Sequence, residues 1–171
     1  MRNFILDTNI LMAYLKANTK LFNKVSEDNN LNDEDAFIMI SSITKGEMLS
    51  LALQNNWGER KVSILTKLLN EFVIIDVAGN DDNLLNAYAE IDAFSLQRHP
   101  KRKLKGSAKP MGKNDMWIAA TAFATNATLL TADGKFKIRC TQVKYLYLLS
   151  KLELQPAVNP FRRTDSNITG R

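Results

Sequence analysis

Five short apolar runs, rich in β-branched residues and separated by helix-period sequence, constrain the architecture of this chain more than any other feature. They lie at 4–7 (FILD), 36–40 (AFIMI), 72–77 (FVIIDV), 127–131 (ATLLT) and 143–149 (VKYLYLL). Several are continuous rather than alternating, the pattern of strands covered on both faces of a parallel sheet. Between them, apolar spacing predicts helices over 10–30 (broken near Asn18), 44–56, 59–70, 81–97 and 115–125. Strand and helix in alternation predict an α/β domain, a mostly parallel central sheet of about five strands flanked by helices. With 171 residues, 45% of them apolar, the chain can bury the core of one such domain. That domain is expected over 1–154, with 98–113 as a loop insertion and 155–171 as an irregular tail holding two prolines; no internal repeat is present.

No run reaches the ~20 apolar residues of a membrane span. Asp7 interrupts the one N-terminal run that could pass for a signal peptide. The single cysteine, Cys140, excludes an internal disulfide and a cysteine-cluster metal site. The single histidine, His99, lies between Arg98 and Pro100 in basic sequence and is not expected to be a ligand. A soluble, cytoplasmic protein is expected, with Asn167-Ile168-Thr169 a chance glycosylation sequon.

Charge is distributed unevenly. From Ala93 to Asn114 there is no acid but there are seven bases, Arg98, Lys101, Arg102, Lys103, Lys105, Lys109 and Lys113. The segment alone carries +7 against +5 for the whole chain, so the remainder is slightly acidic. A local excess of this kind is the footprint of a surface that meets a polyanion, although a solvated basic loop would show the same composition.

The acids are placed by the architecture. Where crossover helices run antiparallel to parallel strands, strand C-termini and helix N-termini collect along one edge, and such folds bind ligands there. Asp7 ends the first strand, Glu47 is expected in the first turn of the helix after the second, Asp115 opens the helix NDMWIAATAFA, and Asp133 follows the fourth strand in LLTADGKF. Each has an ordinary explanation. Asp7-Thr8-Asn9 can cap a helix, Thr44 with Glu47 matches a capping box, Asn114-Asp115 is a good N-cap, and Ala132-Asp133-Gly134 reads as a turn. Considered jointly, their repulsion decides. Two carboxylates about 5 Å apart repel by roughly 3 kcal/mol at an effective dielectric near 20, and helix dipoles return only ~0.3–1 kcal/mol each. Either some acids hold protons, or a cation sits among them. An all-oxygen site without nearby His or Cys suits Mg²⁺ or Mn²⁺. A carboxylate-held divalent ion beside a basic segment points to phosphodiester chemistry.

The fragments LDTNILMAYL, SSITKGEML, AYAEIDAF, MGKNDMWIAATA and LLTADGKF, in this order, resemble the PIN domain, and among its members the VapC toxins of bacterial type II toxin–antitoxin pairs. The similarity runs from about Asn3 to Arg139. It implies a metal-dependent endoribonuclease that cuts a specific RNA, often a tRNA or rRNA, and arrests translation. It also implies an antitoxin partner that occludes the site, and a homodimer. Asp7, Glu47, Asp115 and Asp133 match the family's acidic quartet: Asp7 and Asp115 as principal metal ligands, Glu47 and Asp133 completing the shell and orienting the attacking water. Thr8, Asn9, Asn114 and Thr131 would hold those carboxylates in position. The basic loop would be RNA-binding, through Arg98, Lys101, Arg102, Lys103, Lys105, Lys109 and Lys113. The loop is longer and more basic than the connection usual in these toxins, and the tail after Leu154 is an extension.

Two other readings start from the same residues. A phosphotransfer receiver domain is also a parallel α/β fold, but it needs adjacent acids after strand one, where Asp7-Thr8-Asn9 offers one, and it leaves Glu47 and Asp115 without a role. A PIN module without cleavage activity, or one serving in RNA maturation, would keep the fold and the basic loop. Phe94, Trp117 and Phe123 fall on predicted helices and are expected to pack rather than to stack on bases.

Overall fold

A computed structural model of the protein describes residues 1–16, 19–102 and 107–132. Its elements are β1 (Arg2–Leu6), α1 (Thr8–Leu15), α2 (Thr19–Asn29), β2 (Ala36–Ser41), α3 (Ser42–Gln54), α4 (Glu59–Asn70), β3 (Val73–Ile75), α5 (Asp82–Ser95), α6 (Lys113–Ala124) and β4 (Thr128–Leu130). The long predicted helix at 10–30 is two helices, α1 and α2. The proposed strand at 143–149, the tail and Asp133 lie outside the described residues.

The sheet has the order β3-β2-β1-β4, and every neighbouring pair is parallel. The chain steps outward from β1 through β2 to β3, then returns to place β4 on the other side of β1. This reversal is the topological switch point at which open α/β sheets bind their ligands. In register, Leu6 of β1 lies beside Leu130 of β4, and the Asp7 N–H continues the ladder by donating to the Leu130 carbonyl at 3.0 Å.

Both faces of the sheet are covered, as the continuous apolar runs imply. Phe4, Leu6, Ile38 and Ile40 point to one side, where they pack with Ile10, Leu11, Met48 and Leu65. Ile5, Phe37 and Met39 point to the other, against Ile118 and Ala122 of α6. A third cluster joins α6 to α5 through Leu84, Ala87, Ile91, Met116, Ala119 and Ala120. Helix α6 is therefore apolar on most of its circumference, and its alanines allow close approach on two sides. Trp117 stacks on Tyr88 with ring centroids 4.1 Å apart, and Phe123 packs against the same cluster, so both aromatics serve packing.

Two helix starts differ from the sequence expectation. Helix α3 is capped not by Thr44 but by Ser41, whose hydroxyl accepts from the Ile43 N–H at 3.2 Å. The helix therefore begins earlier, and Glu47 falls in its second turn. Thr44 is fully buried and its hydroxyl donates at 3.5 Å to the Leu6 carbonyl, tying α3 to the end of β1. Helix α6 is capped by Gly112 rather than by Asn114-Asp115, without a side-chain cap, and Asp115 sits in its first turn. In both cases the chain becomes helical as soon as it leaves the preceding segment, before the better-looking cap sequence is reached.

Removing the Ser41 hydroxyl leaves a fully buried helix start uncapped, so Ser41→Ala is expected to cost about 1–2 kcal/mol in urea unfolding. Thr44→Val, which gives up only a long bond, is expected to cost less. The capping-box assignment requires the reverse order.

Candidate metal centre

Three of the four acids are among the described residues, and each is delivered by a different element. Asp7 is the N-cap of α1 and follows β1 directly. Glu47 comes from α3 and Asp115 from α6. All three line one cleft of about 500 Å³ at the carboxyl edge of the sheet, together with Thr8, Asn9 and Lys16. A second hollow of about 510 Å³ shares Thr8, Glu47 and Leu51 with the first and extends along α3 past Ser50 and Gln54 to Asn114. Asp133 is outside the described residues, so the quartet is represented here by three members.

Asp7 is 5% exposed. Its Oδ1 accepts from the Thr8 N–H at 2.7 Å, and its Oδ2 accepts from Asn9 Nδ2 and from the Thr131 hydroxyl, both at 2.6 Å. Asn9 also donates to Thr131 Oγ1 at 2.9 Å, while its own Oδ1 accepts from the Ala132 N–H at 2.8 Å. One amide thus ties the end of β1 to the segment immediately before Asp133. Burial pushes the Asp7 carboxyl above its usual range; the bonds from Thr131, Thr8 and Asn9 pull it down, and the nearby charge of Glu47 pushes it up again. Burial wins.

Glu47 is fixed from two sides. The Thr8 hydroxyl donates to its Oε2, and Asn114 Nδ2 donates to its Oε1 at 2.8 Å. Asp115 lies against the start of its own helix: a Cβ added at Gly112 would stand 3.0 Å from Asp115 Oδ2. A side chain there would press on the carboxylate and shift it slightly. Among the described residues, no three His, Cys, Asp or Glu groups are gathered closely enough to form a ready-made cage. Hard oxygen donors, one of them buried at a cost in charge, fit Mg²⁺ or Mn²⁺.

The residues expected in a supporting role, Thr8, Asn9, Asn114 and Thr131, all bond the acids or one another. The basic segment is only partly described: Arg98, Lys101, Arg102 and Lys113 are exposed, Lys109 is half-buried, and Lys103 and Lys105 lie outside the described residues. Lys113 adjoins Asn114, which lines the second hollow. Sequence reasoning missed His99 and Glu90. His99 is buried, its Nδ1 accepts from the Lys101 and Arg102 N–H groups at 3.1 and 3.0 Å, and its Nε2 donates to Glu90 Oε2 at 2.6 Å. Because Nδ1 accepts twice, the proton of the neutral ring is on Nε2. Both nitrogens are engaged, so the ring is a structural anchor for the start of the basic loop. No local pattern pairs residues 90 and 99. Lys16 was also missed, although it follows Asn9 by seven residues, on the same face of α1.

The geometry defines a parallel α/β domain with a carboxylate-lined crevice at its switch point. The PIN domain profile matches residues 4–140, and the chain belongs to the PIN domain family. It is similar to Ribonuclease VapC1 of Haemophilus influenzae strain R2866, 29% identical over 143 residues, which cover 83% of this chain and 95% of that protein. Among solved structures it resembles VapBC2 from Rickettsia felis, bound to a DNA fragment from their promoter, at 26% identity and a TM-score of 0.62, covering 79% of this chain and 91% of the other. VapBC-1 from nontypeable Haemophilus influenzae shares the fold, with 23% identity, a TM-score of 0.62, and coverage of 82% and 93%. The family and the VapC-like resemblance drawn from the motifs are borne out.

A native pKa raised by burial means that the folded protein keeps a proton the unfolded chain has released. The Asp7 penalty is therefore absent at low pH and grows as pH rises from the ordinary value of about 3.9 through the raised one. A divalent ion binds the carboxylate and competes with that proton. The increase in melting temperature produced by Mn²⁺ over EDTA is accordingly expected to be larger at about pH 7.5 than near pH 4, the ordinary carboxylate value. An equal increase at both would contradict a carboxylate site.

Proposed function

We propose that this protein is a divalent-metal-dependent endoribonuclease that hydrolyses RNA phosphodiester bonds as the toxin of a type II toxin–antitoxin pair. The observation behind this reading is the convergence of Asp7, Glu47 and Asp115, from three separate elements, on one cleft at the switch point of the sheet. The similarity to proteins named ribonucleases and to VapB–VapC complexes supports the activity class and an antitoxin partner. Cytoplasmic location, a homodimer and arrest of translation belong to the same reading. Among the described residues no helix is long and apolar enough to cross a membrane.

In this reading Asp7 and Asp115 would hold Mg²⁺ or Mn²⁺, with Glu47 and Asp133 completing the shell. The bound ion supplies a Lewis acid for the phosphoryl oxygens and a water of lowered pKa. The protein supplies positions. Thr131 and Asn9 keep Asp7 Oδ2 in place, while Thr8 and Asn114 hold Glu47, whose carboxylate would help orient the attacking water. Arg98, Lys101, Arg102, Lys103, Lys105, Lys109 and Lys113 attract the RNA backbone without regard to sequence.

Asp115→Asn tests the chemistry directly. It removes a metal-binding charge but no N-cap, so cleavage of bulk cellular RNA in Mn²⁺ should fall by about 10²-fold or more. Stability should change by less than about 1 kcal/mol, the scale of a first-turn charge effect. Unchanged cleavage would remove the nuclease reading.

For the basic loop, Lys101, Arg102, Lys103 and Lys105 replaced together by Ser should weaken RNA binding. The replacement should also reduce the steepness of its salt dependence, by roughly 0.7 for each single-strand phosphate that is no longer neutralised. An unaltered slope would assign the loop to another partner.

A further inference from the structure

We propose that Lys16 is an RNA-contacting residue of the cleft, its ammonium pairing with a backbone phosphate of the strand held beside Asp7 and Asp115. This rests on the nuclease reading and adds to it a residue outside the acidic set and outside the basic loop. Asn9, Met12, Ala13 and Lys16 all line the cleft, and their spacing of three, four and seven residues makes them one stripe of α1. Asn9 ends that stripe at the Asp7 carboxylate, to which its amide donates. Lys16 ends it at the helix C-cap, about 10 Å further along the axis. Helical side chains lean toward the N-terminus, so its long stem is directed back over the cleft toward Asp7.

Electrostatics gives this placement a purpose. Asp7, Glu47 and Asp115 line the cleft, and a divalent ion bound there would offset only part of their charge, so without Lys16 the lining would still repel a phosphate. Lys16 is the one cation among the described residues that line it. It is exposed and, among the described residues, forms no ion pair with any of the three acids. A compact ammonium on a flexible stem is suited to a phosphate as a point charge. Asp115 lines the cleft from α6, whereas Lys16 stands on the α1 side.

The test compares wild type, Lys16→Met and Lys16→Arg. Binding of a fluorescein-labelled random 20-nucleotide single-stranded RNA is followed by anisotropy in EDTA from about 50 to 200 mM salt. Initial rates on bulk cellular RNA in Mn²⁺ give apparent KM and kcat. Lys16→Met should weaken binding and raise KM about tenfold, as for one charge-assisted hydrogen bond, with kcat changed less than about threefold. Its salt slope should be shallower by about 0.7, and Lys16→Arg should restore all three. Binding and KM that match wild type, in an active protein, overturn the Lys16 assignment alone. Tighter Mn²⁺ binding by Lys16→Met with unaltered RNA affinity also overturns it, since Lys16 would then only neutralise the acids. A wild-type protein that neither binds nor cleaves RNA overturns the nuclease reading and this inference with it.

Discussion

The buried carboxylate of Asp7 is the constraint around which the site is organised. Taking an ionised carboxylate out of water costs several kcal/mol, and three donors converge on this one to reduce the cost. They come from the next residue, from α1 and from the end of β4. The bonds do not fully offset burial, since the carboxyl is still held above its usual range. A negative charge kept partly uncompensated at a strand end is a poor arrangement for stability and a good one for holding a cation. The same residue also caps α1, so the structural and functional explanations of Asp7 coexist.

From this point the other groups are positioned through a short relay. Parallel pairing of β1 with β4 sets Leu6 beside Leu130, so Asp7 and Thr131 leave adjacent strand ends side by side. Thr8, the first residue of α1, reaches Glu47 on α3, and Asn114 at the start of α6 reaches the same carboxylate from the opposite direction. Three helices are thereby joined at the cleft by neutral donors. Neutral donors restrain a carboxylate without cancelling its charge, which leaves that charge available to a metal.

The basic loop is likewise less free than its composition suggests. The backbone after α5 turns at Gln97, with φ of 60°, and the Arg98 and His99 N–H groups both donate to the Ala93 carbonyl. His99 then fixes the next two peptides from a buried position, and Glu90 reaches both His99 and, at 3.5 Å, Arg102. An acid from outside the segment offsets part of its charge. The cluster of bases therefore starts from a defined turn at the end of α5.

Local pattern was enough to show the types and order of the described elements, the coverage of both faces of the sheet, and the placement of Asp7 and Asp115 where strands end and helices begin. Those properties follow from local periodicity, which side chains at i+2 or i+4 express without reference to the rest of the chain. Thr8, Asn9, Asn114 and Thr131 were legible through the resemblance of their motifs to the PIN family, and each bonds an acid or another member of the set. Only the tertiary structure decided that Ser41 and Gly112 start their helices, that β4 returns to the far side of β1, and that Glu90 meets His99. The physical reason is range: a cap depends on the angle at which the chain leaves the preceding segment, while strand order and a meeting of side chains nine residues apart depend on packing between distant segments. No local pattern encodes either.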